Sequence, residues 1–96
     1  MDWDKLRIFH AVASAGSFTH AGQMLTLSQS AVSRQISALE EELVTPLFQS
    51  HARGLTLTDE GELLYGAVSD VLSRLAQAEE ALKNVQEAPR GQLKVT

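Results

Sequence analysis

The chain has 96 residues, 44% of them hydrophobic, and a formal net charge of −4, which suits one small domain with an appendage and leaves little room for a second core. No apolar run is long enough to span a membrane and no signal-peptide pattern is present, so we expect a cytoplasmic protein with no membrane partner. Cysteine is absent, which excludes disulfides and thiolate metal sites.

The first predicted helix covers residues 4–15. Its apolar side chains share one face, as in a helix that covers a core; they are Leu6, Phe9, Val12 and Ala13. Gly16 follows directly and is suited to end the helix in the left-handed conformation.

The next two predicted helices form a helix-turn-helix. Ser17 can cap a helix over 18–25, and Ser28 can cap a third helix after a turn of three residues. Ala21 and Gly22 are small where the two helices must cross closely. In such a motif the later helix enters the DNA major groove.

The third helix has two different faces. Its apolar positions form a core-facing stripe, made of Val32, Ile36, Leu39 and Leu43. The opposite face is small-sided and hydroxyl-rich with a single guanidinium, and it contains Ser30, Ser33, Arg34 and Ser37. Such a face can lie deep in a groove, where Ser and Gln can bind base edges and Arg can bind guanine in bidentate fashion. For this helix alone, an ordinary solvated face is an equally good interpretation.

A short hairpin and a long helix are predicted next. Residues 54–58 alternate as a strand would, with 51–54 as the tip of a hairpin or wing and Arg53 as a natural phosphate or minor-groove contact. From residue 59 to about residue 87 the chain contains no Pro, and Thr58 can cap a helix of about 44 Å.

Apolar residues of this long helix repeat every seven positions. They form a seam spaced alternately four and three residues, made of Leu64, Val68, Val71, Leu75, Ala78, Leu82 and Val85. The seam could fold back onto the body. Only the first two turns of this helix could reach the rest of the domain, so we favour pairing of the seam with a second chain. After it, 89–91 predict a helix stop and hinge, and 92–96 alternate like the start of a strand.

In their order and separations, the motifs resemble the N-terminal DNA-binding region of LysR-type transcriptional regulators. The matching runs are Leu6-x-x-Phe9-x-x-Val12, Gly16-Ser17-Phe18-Thr19-x-Ala21, Leu25-x-x-Ser28-Gln29-x-Ala31-Val32-Ser33-x-Gln35-Ile36, Leu39-Glu40-x-x-Leu43, Leu47-Phe48 and Leu57-Thr58-x-x-Gly61. The resemblance implies a mainly α fold: a winged helix-turn-helix of three helices and a short two-stranded wing, then a long linker helix that pairs antiparallel across a dimer. It divides the chain into a DNA-binding domain (1–58), a dimerisation helix (59–88) and a hinge that begins a missing effector-binding domain (89–96).

Three departures from the family pattern concern the recognition helix and the wing. Ser30 stands where the family often has Pro, Val44 where it usually has a helix-ending Gly, and Ser50 where it has an Arg before the wing. Pro46 disfavours helical geometry at the preceding residue, so we expect the third helix to end near Val44 all the same. The Ser50 change puts one phosphate contact in doubt.

The negative charge is the main objection to DNA binding, because affinity for phosphates normally rests on Lys and Arg. Residues 1–58 contain four basic and five acidic groups, whereas 59–96 contain four basic and seven acidic groups. Most of the excess negative charge therefore lies outside the predicted DNA-binding domain. We expect weak non-specific affinity for DNA.

We therefore interpret the chain as a homodimeric, sequence-specific binder of double-stranded DNA that recognises an interrupted palindrome. Candidate base contacts are Gln29, Ser33 and Arg34, with Ser30 and Gln35 nearby, and candidate backbone or minor-groove contacts are Ser17, Thr19, Ser37, His51 and Arg53. Ser17 could instead merely cap its helix. A small-molecule effector would act only through the missing domain, and pairing of dimers into tetramers stays open.

Two other classes of function fit less well. An enzyme is not expected, and neither is a cofactor or metal, because the three histidines lie on different predicted elements without helical metal-site spacing. Each histidine is predicted to be an exposed surface residue. A helical dimerisation module without DNA binding would use the seam, but it leaves Arg53 and the polar face of the third helix unexplained.

Overall fold

The computed structural model describes residues 2–52 and 54–87. Within these ranges the chain forms four helices and one antiparallel hairpin, in the order α1 (Trp3–Ala15), α2 (Phe18–Leu25), α3 (Gln29–Leu43), β1 (Phe48–His51), β2 (Gly54–Leu57) and α4 (Asp59–Glu87). The predicted winged helix-turn-helix with a long following helix is confirmed. The predictions for Arg53, for the hinge at 89–91 and for the strand start at 92–96 lie outside the described residues.

The ends of the first three helices are capped as the sequence predicts. Gly16 ends α1 in the left-handed conformation, with a φ of 75°. The Ser17 hydroxyl accepts a hydrogen bond from the His20 amide at 2.9 Å, and the Ser28 hydroxyl accepts one from the Ala31 amide at 3.1 Å. Each cap satisfies an amide that the first helical turn would otherwise leave unpaired.

The helix-turn-helix depends on a close approach at Gly22. A Cβ atom at this position would lie 2.6 Å from the carbonyl oxygen of Leu27, so the turn packs directly against the backbone of α2. The Leu27 amide donates to the Gly22 carbonyl at 2.8 Å, and Thr26 takes a left-handed conformation with a φ of 59°. The crossing between α2 and α3 is therefore set by backbone contacts as well as by the core.

One core lies between α1, α2, α3 and the hairpin. Its largest fully buried side chains are Phe9, Leu39, Leu47, Val12 and Val32. The Phe48 ring lies 5.4 Å from the Phe9 ring and 6.3 Å from the Phe18 ring, centre to centre. Apolar burial of this kind supplies most of the driving force for folding, at about 25 cal/mol for each Å² removed from water, and it holds the hairpin on the helical body.

The third helix ends at Val44, as predicted, in a left-handed conformation. Its φ is 52° and its ψ is 43°, which is a strained geometry for a β-branched residue. The Val44 side chain is 87% exposed, so burial of the isopropyl group contributes almost nothing to offset the strain. The Val44 and Thr45 amides bond back to the carbonyls of Glu41 and Glu40.

A carboxylate joins the end of α3 to the start of the hairpin. Glu40 accepts hydrogen bonds from the backbone amides of Leu47 at 2.8 Å and Phe48 at 3.3 Å. The Thr58 hydroxyl donates to the Pro46 carbonyl and caps α4 by accepting from the Gly61 amide. These bonds lock the segment between α3 and α4 to both helices.

The long helix α4 touches the body only near its start. Gly61 packs so closely that an added Cβ atom would lie within 2.2 Å of the Leu47 carbonyl oxygen. Leu64 is half-buried and Val68 is buried, whereas Leu75 is 53% and Leu82 is 63% exposed. As predicted, only the first turns of the seam reach the body. None of the described helices combines the length and apolarity needed to cross a bilayer.

Candidate nucleic-acid interface

The third helix presents the two faces that the sequence predicts. Val32, Ile36 and Leu39 are buried in the core. The polar residues of the opposite side are exposed, except for the half-buried Ser33; they are Gln29, Ser30, Ser33, Arg34 and Ser37. We call these five residues the polar stripe. Short polar side chains around one guanidinium are the chemistry that can approach and bind base edges in a major groove.

Contacts from the neighbouring helix position the first residue of the polar stripe. The Thr19 hydroxyl, near the start of α2, donates to the Gln29 side-chain oxygen at 3.3 Å. This bond orients the amide so that its nitrogen can donate to a base acceptor. The Ser28 and Ser30 hydroxyls lie 3.3 Å apart at the start of α3. The structure thus brings Thr19, Gln29 and Ser30 together at one end of the helix-turn-helix.

Two of the predicted site residues have a different setting. Ser17 is engaged as the cap of α2, which is the alternative role left open for it, although its hydroxyl proton can still be donated. Gln35 lies on the flank of α3 that faces α1, in a shallow groove with Arg7, Leu27 and Ala31. At about 100° per residue in an α-helix, Gln35 lies on the other side of Arg34 from Ser30, Ser33 and Ser37, so the structure does not bring it into the polar stripe.

The hairpin carries its outer residues in a regular register. His51 pairs with Gly54 and Ser50 pairs with Leu55, so side chains alternate between the body side and the outer side. The His51 ring nitrogen Nε2 lies 3.0 Å from the Thr56 hydroxyl, which orients the ring on the outer side. Ser50 is exposed but shares the side of the hairpin that carries Phe48 and Leu55.

Two cationic side chains of the first helix, Lys5 and Arg7, are paired with carboxylates. Lys5 forms an ion pair with Glu42 that joins the start of α1 to the end of α3. The hydrogen bond with Glu42 raises the pKa of Lys5, and the same bond lowers the pKa of Glu42. Arg7 lies 3.4 Å from Asp4 on the same helix. Arg34 is therefore the principal described cation on the side of α3 that carries the polar stripe.

The prediction that every histidine is an exposed surface residue is wrong for His10. Its ring is half-buried and stacks on the Tyr65 ring of α4, with centres 4.7 Å apart and planes at 11°. Nε2 lies 3.1 Å from the Ser69 hydroxyl, and burial lowers the pKa of His10. The ring is covered because α4 crosses α1 at this point, a packing that the local sequence around His10 does not encode. His20 and His51 are exposed, as predicted.

The chemistry of the described residues is that of a binding surface. Within 2–52 and 54–87, no three histidine or acidic side chains lie close enough together to hold a metal ion. Beyond Val68 the predicted seam residues are exposed up to Val85, so an apolar edge of α4 stands open to solvent.

Comparison with known proteins gives a consistent result. Residues 3–62 match the family described as bacterial regulatory helix-turn-helix protein, lysR family. The chain is 38% identical over 96 residues to the HTH-type transcriptional regulator PtxR of Pseudomonas aeruginosa, covering all of this chain and 31% of PtxR. It is 42% identical over 95 residues to the regulator YofA of Bacillus subtilis, covering 99% of this chain and 33% of YofA. The chain thus spans about a third of the length of these two relatives.

Similar solved structures include DNA complexes. The BenM DNA-binding domain in complex with catB site 1 DNA is 34% identical, with a TM-score of 0.82 over 94% of this chain and 100% of the BenM chain. The full-length virulence activator AphB of Vibrio cholerae is 38% identical, with a TM-score of 0.75 over 85% of this chain and 28% of AphB.

Proposed function

The chain belongs to the LysR family of bacterial helix-turn-helix regulatory proteins, and we propose that it is the sequence-specific DNA-binding part of a longer transcriptional regulator. In this proposal α3 lies in the major groove and the wing contacts the backbone or the minor groove. The observation that carries it is the polar stripe, exposed along α3 while the opposite side of the helix is buried. Named relatives of the chain are transcriptional regulators rather than enzymes, and a similar domain is solved bound to DNA.

Base contacts in this proposal come from the first turns of α3. Arg34 is the side chain suited to bidentate recognition of a guanine, while Gln29 and Ser33 bind neighbouring base edges. Ser30 lies beside them at the helix start. Gln35, on the flank facing α1, reaches only the edge of the groove.

Backbone contacts surround this base-reading region. Hydroxyl, ring and guanidinium donors near the start of α2, along α3 and on the wing are suited to phosphate oxygens; we assign this role to Ser17, Ser37, His51 and Arg53. Thr19 joins them only when its hydroxyl turns from the Gln29 side-chain oxygen to a phosphate. These contacts position the helix without reading sequence. With few free cations available, we expect the affinity for random DNA to be low.

The active unit in this proposal is a homodimer. The exposed seam of α4 pairs with that of a second chain, burying residues such as Val71, Leu75 and Leu82, which are all more than 40% exposed in the single chain. A two-fold dimer presents two copies of α3 to an interrupted palindrome. We place the division between DNA-binding domain and linker at residues 58 and 59. An effector-binding domain, with its small-molecule ligand and any tetramer contacts, belongs to the longer cytoplasmic regulator.

The test begins with selection of bound sequences from a pool of random duplexes, followed by titrations of the selected duplex at low and high salt. Arg34→Ala should cost about 1–3 kcal/mol and relax the preference at one base position per half-site. Arg74→Ala, at an exposed site on α4, is the matched control and should keep the base preferences. Unchanged preferences in Arg34→Ala would contradict the groove assignment. A wild type that dimerises but selects no duplex would favour a dimerisation module.

A further inference from the structure

A polar and aromatic cluster joins α1 to the base of α4. The His10 ring stacks on the Tyr65 ring at 4.7 Å, and its Nε2 lies 3.1 Å from the Ser69 hydroxyl. One turn along each helix, the Ser14 hydroxyl lies 3.0 Å from the Tyr65 hydroxyl. We call these four residues the α1–α4 cluster. None of these four residues belongs to the polar stripe, so base recognition gives the cluster no role.

The α1–α4 cluster constrains the direction of α4. His10 and Ser14 are one turn apart on α1, and Tyr65 and Ser69 are one turn apart on α4. The contacts therefore join the two helices at two points that are about one turn apart. Hydrogen bonds and stacked rings are directional, unlike apolar contacts. The Thr58 hydrogen bonds and the close approach of Gly61 to the Leu47 carbonyl fix the place where α4 begins. The α1–α4 cluster lies one to three turns farther along the helix and there adds directional contacts to the apolar packing of the buried Val68.

Small tilts at this base become large displacements at the far end of α4. Eighteen residues separate Ser69 from the end of the helix at Glu87, which is about 27 Å at about 1.5 Å per residue. A tilt of about 10° would therefore move the end by about 5 Å, more than the rise of about 3.4 Å per DNA base pair. In a symmetric dimer both helices tilt, so the displacement between the two bodies is larger still.

We propose that the α1–α4 cluster is a positioning element that sets how many base pairs separate the two half-sites the protein prefers. This inference rests on the proposed function, because it requires a DNA-binding homodimer joined through α4. His10 and Tyr65 are positioning residues in this scheme: they touch no base, and they act through the angle at which α4 leaves the body.

The experiment measures affinity for a series of duplexes in which the selected half-sites are moved apart or together one base pair at a time. A duplex with a single half-site reports base reading alone. We compare the wild type with His10→Ala, which removes the stack and the Ser69 bond, and with His10→Phe, which keeps a stacked ring. Ser73→Ala, at an exposed α4 site one turn beyond Ser69, is the control.

We expect the wild type to lose about tenfold in affinity when the separation departs by two base pairs, and His10→Ala to lose about threefold or less. His10→Phe should fall between them, and Ser73→Ala should follow the wild type. Single-site affinity should agree within about twofold for all four proteins. A general loss of stability would lower single-site binding as well, so the spacing profile separates positioning from folding.

Equally steep spacing profiles in the wild type and His10→Ala would overturn the inference. If His10→Ala fails to fold, Tyr65→Phe decides the question, since it removes only the bond to the Ser14 hydroxyl and should flatten the profile in part. An unchanged profile in that variant would overturn the inference too. A wild type that selects no half-site would refute the proposed function instead.

Discussion

Replacing Val44 with glycine should stabilise the protein. A left-handed conformation costs a residue with a Cβ atom about 1–2 kcal/mol, and Val44 adopts it with a φ of 52°. Glycine removes this cost but gains conformational entropy in the unfolded chain, which offsets about 0.5–1 kcal/mol. Because the side chain is 87% exposed, little apolar burial is lost. The net gain is about 0–1.5 kcal/mol.

For a domain of this size, a gain of about 1 kcal/mol raises the melting temperature by about 4–8 °C. Thermal and urea unfolding should be followed by circular dichroism at one fixed protein concentration, since association also shifts the apparent stability. The urea m-value should stay constant while the midpoint rises.

The matched control is Ala76→Gly, at an exposed position inside α4. Here glycine should destabilise by about 1 kcal/mol, because the backbone is helical and alanine is favoured. Opposite signs for the two glycine substitutions would separate left-handed strain from a general effect of glycine. A lower midpoint for Val44→Gly would refute the reasoning, because it would mean that valine carries no strain at this helix end.

Four further changes probe the other parts of the molecule. Leu75→Glu places a charge in the exposed seam and should give a monomer with much weaker operator binding; sedimentation that finds the wild type already monomeric at high concentration would defeat this expectation. Ser50 is exposed although it shares the side of the hairpin that carries Phe48 and Leu55, so a long Arg side chain there can extend past the edge of the wing; Ser50→Arg should tighten binding to specific and random duplexes by similar factors and steepen the dependence of log K on log salt by about one unit. An unchanged slope would mean that this position makes no phosphate contact. Glu40→Ala leaves the amides of Leu47 and Phe48 without their acceptor and should cost about 1–3 kcal/mol in urea unfolding; Glu40→Gln, which keeps an acceptor oxygen, should recover part of the loss. Burial lowers the pKa of His10 below its ordinary value of 6.5, so the unfolded chain binds the proton more readily. Stability should therefore fall progressively as the pH drops below about 6.5 toward the lower pKa of the folded state. A melting-temperature difference between wild type and His10→Asn that does not change with pH would contradict this expectation.

Features encoded locally could be predicted from the sequence. Ser17, Ser28 and Thr58 each precede a helix and cap it through the hydroxyl, because a cap needs only the backbone of the next turn. The buried stripe of α3 follows from the 3.6-residue period in the same way. These signals fall within a few residues of one another, so they do not depend on how the chain folds elsewhere.

Features that join distant segments could not be predicted in this way. His10 and Tyr65 are 55 positions apart, and their stacking depends on the crossing of α1 and α4. Glu40 is one of three consecutive glutamates in the sequence, and only the fold brings its carboxylate to the Leu47 and Phe48 amides at the start of the hairpin. Lys5 and Glu42 pair across the body in a similar way. A weak signal existed for the first case, since polar residues one turn apart occur on both helices.

The isolation of the outer part of α4 has a consequence for how the protein folds. From Val71 to Val85 every residue except the half-buried Leu72 is exposed, and a helical segment without tertiary packing is only marginally stable in water. In a single chain, backbone amides in this segment should exchange with deuterium far faster than those of α1 and α3. Pairing with a second copy would slow that exchange as protein concentration increases, so formation of the outer turns would be coupled to association itself.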